Sequence, residues 1–587
     1  YGDLSLKYKI SPKFSLQGWV RNSSRFFDNN FRIASGTLNK DAYFTSDAKF
    51  VEMNYEFLAD YNDKIGESFT FDLSFGGNVR DEKTIGTAQS TVGGLSIPGF
   101  YHIDASKDRP VATYRFTHRK VRSLYAIGSL GFKGFLYLDV TARNDWSSTL
   151  PDNNNSYLYP SIAGSFVFSE LIKNQNVLSF GKLKASWASV GSDTDPYKIY
   201  PVYNSGAQGS YTVQSLPTQL PNTILKPTLS KSYDLGGELR FLKDKIGLDF
   251  TYYKRDNIDQ ILPLSVPSTS GYNTALVNAG NITNEGMELA LTIKPIKTND
   301  FDWEINFNIA KANTIVKELA EGLTNYVLPT TSAYSIGTNA SGGVNSFGPT
   351  VNARVGEKFG LLVGRAFRRF QAVDAQGNPV DNPSNGKFVV NANGTYAYDS
   401  NKSLGSILPD YTGGLVNTFR YKSINLSFNI DFQKGGKVWS TSRMFNAYSG
   451  LGAETVGNNA KGNPQRDPVA DGGGLVAEGV LADGTVNTKY IESATYWTTM
   501  QPIHERWIYD ATYIKLREVS LGYEIPKSLY DGKLPFRTIY IGAVGRNLWL
   551  IKQPVVGLDP SELEGVWSEG GQLPAARSYG FNIKFGL

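Results

Sequence analysis

The 587-residue chain has no cysteine and three histidines, and it contains no apolar run approaching the roughly 18 to 20 residues that a membrane-spanning helix needs. The first absence excludes disulfides, thiolate nucleophiles and cysteine-ligated metals. His102, His118 and His504 stand far apart and read as surface or loop residues, so no metal site is expected from them. There is no G-x-S-x-G, no H-E-x-x-H and no P-loop pattern. An enzyme is therefore not expected, and no cofactor is implied. A net charge of +5 on so long a chain is too small to point to nucleic acid. The negative mean hydropathy argues against a helical membrane protein, but not against a membrane barrel, in which half of each strand is polar.

What the chain does have is strict period-two alternation. Val51, Met53, Tyr55, Phe57, Ala59 and Tyr61 fall on one face of a strand, with Glu52, Asn54, Glu56 and Asp60 on the other. Phe69, Phe71, Leu73 and Phe75 oppose Thr70, Asp72 and Ser74. Phe301, Trp303, Ile305, Phe307 and Ile309 oppose Asp302, Glu304, Asn306 and Asn308, and Ile424, Leu426, Phe428, Ile430 and Phe432 oppose Asn425, Ser427, Asn429 and Asp431. Successive strand side chains point to opposite faces, so each such strand has one oily side and one wet side. The 34 tyrosines and 33 phenylalanines would supply the interfacial girdles of a barrel in a bilayer.

The periodicity predicts about seventeen strands, joined alternately by short turns and long loops. Short turns are expected at Ser11–Pro12, Asp63–Ile65, Lys133, Lys243–Lys245 and Lys422–Ser423. Long loops are expected over 22–47, 81–119, 145–160, 191–230, 257–284, 313–411, 434–512 and 547–576. Outer-membrane barrels have this arrangement, with periplasmic turns and extracellular loops. A propeller would repeat at a fixed period, and a row of sandwiches would need turns every 8 to 12 residues or so; the loop lengths fit neither. The fold expected is all-β, a transmembrane antiparallel barrel. An odd strand count would put Tyr1 outside and Leu587 at the periplasmic rim. Residues 1–587 are then expected to form the C-terminal part of one barrel domain whose first strands and plug lie elsewhere.

Several segments carry a resemblance. They are Arg143-Asn144-Asp145-Trp146-Ser147-Ser148 with Tyr159-Pro160-Ser161; Lys182 to Trp187 with Val190-Gly191; and the block Asn278, Gly280, Asn284, Gly286, Glu288. Others are Pro409-Asp410-Tyr411; Tyr513 to Tyr523; and Asn547 leading to Gly557-Leu558-Asp559-Pro560. Singly these read as glycines at strand ends, prolines in turns and polar caps. In this order they resemble the SusC/RagA family, the large TonB-dependent outer-membrane transporters of Bacteroidetes, although the chain ends Phe585-Gly586-Leu587 rather than on an aromatic residue. The resemblance implies a complete barrel of about twenty-two strands, a plug domain engaging TonB-ExbB-ExbD, and a SusD-like lipoprotein lid. The function it implies is active import of a large nutrient, an oligosaccharide or a peptide, at the cell outer membrane. A siderophore-type receptor and a structural barrel within an envelope complex remain alternatives; a co-purifying lid, a bound iron chelate or many unrelated partners would separate the three.

Candidate ligand contacts are the aromatic residues Trp146, Tyr200, Tyr203, Tyr211 and Tyr272, which could stack on sugar rings, hold a lid or simply pack their own loops. Pro201, Pro217, Pro221, Pro263 and Pro267 stiffen loops 191–230 and 257–284, the segments expected to meet the lid. Asp374, Gln376, Asn378 and Asp381 have a calcium-like spacing but few acidic ligands, and read as a solvated turn. Asp193 and Asp195 form a second acidic pair. The basic stretch Arg115, His118, Arg119, Lys120 and Arg122 is either a solvated rim or a contact for lipopolysaccharide phosphates.

Overall fold

In a computed structural model of the chain, the described residues are 1–587 apart from 174, 209–210, 329–334, 339–343, 347, 556, 564, 566 and 570–572. Parts of the connections at 167–177, 193–227, 319–408 and 553–577 thus lie outside them. Two compact units are present: 1–175 with 180–237 and 253–281, and 176–179 with 238–252 and 282–587.

In the first unit the strands Gly2–Lys9, Phe14–Ile33, Ala42–Ile65, Phe69–Leu95, Ser106–Phe132, Leu136–Ser147, Ser156–Phe166 and Leu178–Ser192 form an antiparallel meander, each paired with the next. Thr228–Phe241 pairs with the last of them. The turn after Phe132 places Lys133 and Gly134 at φ 47° and 75°; two successive left-handed residues match the right-handed twist of a hairpin.

In the second unit the meander runs through Phe301–Glu318, Pro409–Tyr421, Ile424–Gly435, Tyr513–Glu524, Thr538–Lys552 and Ser578–Gly586. Strands Thr228–Phe241, Ile246–Ser265 and Thr274–Lys297 contribute residues to both units. Among the described residues the meander has seventeen strands, as the periodicity predicts, and the sheet also takes in the two-residue strand Gln219–Leu220. Among the described residues Gly2–Lys9 is paired with Phe14–Ile33, and Ser578–Gly586 with Thr538–Lys552. No described helix is long and apolar enough to cross a membrane.

Strand lengths correct the expectation. Much of 22–47 and 81–119 is strand: the second and third strands pair without interruption from Phe14↔Tyr61 to Ile33↔Ala42. Beyond a bilayer both faces of a strand meet water, so the ladder continues after the apolar alternation has ended. Conversely, the connections 167–177 and 525–537, on the short-turn side, are longer than the link between Ile33 and Ala42 on the other. Individual lengths thus overlap between the two sides, but the two longest connections, 319–408 and 436–512, both lie on the loop side. Tyr1 lies at the loop end of its strand, and Leu587 follows Gly586, which pairs with Thr538 at the end of connection 525–537.

The long connections of the second unit are folded. Trp439, Met444, Trp497, Met500, Ile503, Trp507 and Trp567 share one buried core, built on the helices Thr441–Tyr448 and Ser493–Met500 and the ladder of Lys437–Trp439 with Ile508–Asp510. The Trp439 amide donates to the carbonyl of Trp567 at 2.9 Å, tying residues from two connections together. Burying large aromatic groups in this way contributes roughly 1.5–3 kcal/mol each relative to exposure.

Candidate functional site

Antiparallel partners point to the same face, so register sorts the paired strand residues of the first unit. One row runs Gly18, Phe57, Gly77, Leu124; the next runs Val20, Tyr55, Val79, Arg122, Trp146. On the fourth strand Phe69, Phe71, Leu73, Phe75, Gly77 and Val79 share this outward face, and the charge of Asp81 ends the run. From Phe69 to Val79 the strand advances about 34 Å at ~3.4 Å per residue. Tilted by about 40°, that covers about 26 Å, close to the roughly 25 Å apolar band of an outer-membrane barrel. Aromatic residues mark both limits: Phe69, Phe132, Phe135 and Phe166 in ring contact at the turn end, and Tyr55 with Trp146 at the loop end. This is the wall of a membrane barrel, and its other face is the candidate site.

That other face carries a polar chain. The Arg21 guanidinium pairs with Glu56, whose second oxygen accepts from the Tyr125 hydroxyl at 2.6 Å. Arg143 stacks over the rings of Tyr125 and Tyr159 at 5.6 and 6.0 Å. Its Nε donates to Asp145 Oδ1 and to the Tyr159 hydroxyl, both at 2.8 Å, and its Nη2 donates to Ser123 Oγ at 2.7 Å. Tyr159 in turn donates to Asp145. The adjacent glycines serve opposite faces: a Cβ at Gly76 would run into the Tyr125 ring inside, and one at Gly77 into the Phe57 ring outside. Gly76 thus lets the tyrosine lie against the backbone and reach Glu56. At the loop end, Arg119 grips Asp193, which also accepts from Ser147 and, at 3.1 Å, from Thr149. The Asp193 side chain is 4 % exposed and anchors its loop, whereas Asp195 is exposed.

A second cluster lies in the other unit. Opposite Asn429 and Ile430 the ladder slips by one residue at Arg517, a bulge of the kind that re-aims side chains. Arg517 Nε donates to Asp431 Oδ1 at 2.9 Å, and the same guanidinium pairs with Glu562. Lys515, 2 % exposed, donates to Asp559 at 2.7 Å, Ser561 at 3.1 Å and Glu562 at 3.0 Å. Burial pushes the Asp559 carboxyl up, but the hydrogen bonds from Lys515 and Ser561 outweigh it and hold the group below its usual range. On this strand set Glu304 meets Lys294 at 3.4 Å and Asn306 at 2.8 Å.

The residues singled out in the sequence separate into groups. Arg143, Asp145 and Asp559 sit in the two networks above, with Pro560 beside the second. Asn278 clamps backbone, exchanging hydrogen bonds with Lys226 at 2.7 and 2.8 Å and donating to the Asp259 carbonyl at 3.1 Å. Gly280 adopts φ 91°, Gly286 is buried and Glu288 exposed on its strand. Asn284 Oδ1 is buried without a partner in the described residues. Asn547, at φ 57°, donates to the Ala576 carbonyl at 3.1 Å.

Trp146 lies on the outward face with Val79, not on the face of Glu56, so it does not reach the polar chain. Tyr200, Tyr203 and Tyr211 are 59, 66 and 79 % exposed, around the hairpin Asn204–Gln208/Tyr211–Ser215, and Tyr272 is half-buried in the turn before Thr274. Pro201 and Pro267 are exposed; Pro217, Pro221 and Pro263 are partly covered.

Asp374 Oδ1 accepts from the amides of Gln376 and Asn378 at 2.9 and 2.8 Å; this is a side-chain-closed turn, and no metal-ligating group occurs among the described residues. His504 accepts from the Arg365 amide at 3.2 Å, His118 pairs with Asp81 and His102 with Asp104. Trp19, Tyr125 and Tyr159 were missed as members of the polar face; each falls in register with a charged residue there, the signal that could have found them.

An apolar band outside and charged, hydrogen-bonded groups inside define an outer-membrane β-barrel wall. The model of the TonB dependent receptor-like β-barrel matches residues 1–405, and the chain belongs to that family. It is 25 % identical over 482 residues to the TonB-dependent receptor SusC of Bacteroides thetaiotaomicron, covering 76 % of this chain and 42 % of that protein. It is 24 % identical over 470 residues to TonB-dependent receptor P3 of Formosa agariphila, covering 76 % and 43 %. The fold is shared with a solved structure of the RagAB peptide transporter, with a TM-score of 0.74 at 17 % identity, over 99 % of this chain and 61 % of that one. The SusC/RagA resemblance of the motifs stands, and with it the outer membrane as location. The chain spans about half the length of the curated relatives it matches.

Proposed function

We propose that residues 1–587 form the C-terminal part of the barrel of an active importer for a large nutrient, an oligosaccharide or a peptide, working with a SusD-like lipoprotein lid. The observation that carries this reading is the inner-face chain from Arg21 through Glu56, Tyr125 and Arg143 to Asp145 and Tyr159. A wall this broad is too wide to be filled by its own side chains, and fixed charges backed by aromatic rings suit the lining of a wet, gated passage or the seat of a plug. In this reading a plug outside these residues closes the lumen and is moved by TonB-ExbB-ExbD, so the work comes from the inner-membrane proton gradient. The solved RagAB structure is that of a peptide transporter, which keeps peptide among the cargoes of this reading.

The test is co-purification and uptake. Mild extraction of the tagged protein should bring down a surface lipoprotein in near-stoichiometric amount, and uptake of labelled oligosaccharide or peptide should stop when the proton gradient is collapsed. A preparation with no lipoprotein that instead binds an iron chelate would contradict the reading.

A further inference from the structure

The outward face of the first unit carries a groove of about 930 Å³ that the import reading does not use. Its walls are Leu4, Leu6, Val20, Phe57 and Leu124, and its floor is Gly18. The cause is local. Gly18, Phe57 and Gly77 are register partners, and the Phe57 ring lies over Gly77, so a Cβ there would clash with it. On the other side, a Cβ at Gly18 would meet only the Glu56 carbonyl oxygen, at 3.8 Å. The ring has moved off one glycine and onto the other, leaving a slot.

The slot opens at the loop end of the apolar band. There Arg122 and Trp146, register partners, sit one row above Leu124. Of the basic stretch, His118, Lys120 and Arg122 share this outward face, while Arg119 turns inward to Asp193. Asp81 is the acid that answers His118 at 2.9 Å, Lys120 at 3.0 Å and Lys83 at 3.9 Å. Arg122, exposed, has no acidic partner among the described residues. An apolar slot in the bilayer thus ends beneath a cluster with more positive than negative charge, beside a tryptophan at interface depth.

We infer that this groove binds one lipid A molecule of lipopolysaccharide, with an acyl chain lying over Gly18 between Leu6 and Phe57 and a glucosamine phosphate on Arg122 and Lys120. Guanidinium and ammonium groups together suit a phosphate monoester. The side of the band matters to the choice of occupant: the slot opens toward the long connections, which is the outer leaflet, and lipopolysaccharide is the phosphate-bearing lipid of that leaflet.

The test is native mass spectrometry of the full-length protein extracted from outer membranes in a mild detergent. The unaltered protein should carry one lipid A-bearing molecule per barrel. Gly18→Leu, which fills the slot and leaves the charges, and Arg122→Gln, which removes the charge and leaves the slot, should each lower retention at least fivefold. Leu138→Phe, on the same face but toward the turn end, should leave it unchanged. Phospholipid bound in place of lipid A, or retention in either groove variant as high as in the unaltered protein, would overturn the assignment.

Discussion

Arg143 and Asp145, two positions apart on one strand, point to the same side of the sheet and hold each other at 2.8 Å, with the Tyr159 hydroxyl joined to both. Only a strand places residues i and i+2 in this way, so the pair reports both the secondary structure and the face. Arg143→Met leaves a carboxylate that is 10 % exposed without its cation. The expected cost is about 1–3 kcal/mol, seen as a lower temperature for loss of heat-modifiable gel mobility. The double variant Arg143→Met/Asp145→Leu should recover part of that loss. Strictly additive losses would show that the two groups are not coupled.

The two faces of one strand should respond differently to the same substitution. Phe428→Arg, on the face where Phe428 lies 6.2 Å from Phe419 and Phe419 stacks on Trp303, should cost about 2–4 kcal/mol. Asn429→Arg, opposite Glu518, should change barrel stability little. Equal penalties would contradict the membrane assignment.

How far the sequence reached differs from place to place. Phe301 to Ile309 and Ile424 to Phe432 declared strand and face alike, because a bilayer on one side and polar groups on the other enforce alternation. Ser23 to Ile33 and Asp81 to Leu95 read as loop, because outside the bilayer the ladder holds while the alternation does not. The core around Trp439, Trp497, Trp507 and Trp567 has no periodicity, since its residues come from distant connections; four tryptophans in presumed loops were the available hint. Trp146 was placed by its aromatic character, whereas its register with Arg122 decides its face. The bulge at Arg517, which joins Asp431 to Glu562, has no local sequence signal.

Acid should loosen the second network. Asp559 titrates below its usual range in the folded state, so its contribution is fully present above the ordinary carboxylate value of about 4. That contribution disappears as pH falls through the lowered value. Limited proteolysis within 553–577 should therefore be slow at pH 5 and accelerate below pH 4. In Lys515→Met the main opposing hydrogen bond is gone and burial dominates, so the acceleration should begin at higher pH. An unchanged pH profile in that variant would mean that Lys515 does not set the Asp559 titration.

Removing residues 205–215, which include Tyr211, should weaken lid retention and uptake together while heat-modifiable mobility stays normal. Proline on both sides, at Pro201 and Pro217, limits what the loop can sample and lowers the ordering cost of binding a partner. Full retention of the lid after this deletion would remove the hairpin from the docking surface without touching the barrel.

The most direct measurement uses the absence of cysteine. Single cysteines placed in turn from position 69 to 79 can each carry an environment-sensitive fluorophore, with the protein in outer-membrane lipid and a nitroxide quencher confined to the bilayer. Odd positions, the face of Phe69, Leu73 and Val79, should be blue-shifted and quenched. Even positions, the face of Thr70, Asp72 and Asn78, should be neither. Quenching without period two, or with the two faces exchanged, would contradict the assignment of this chain as a barrel wall with a polar lumen.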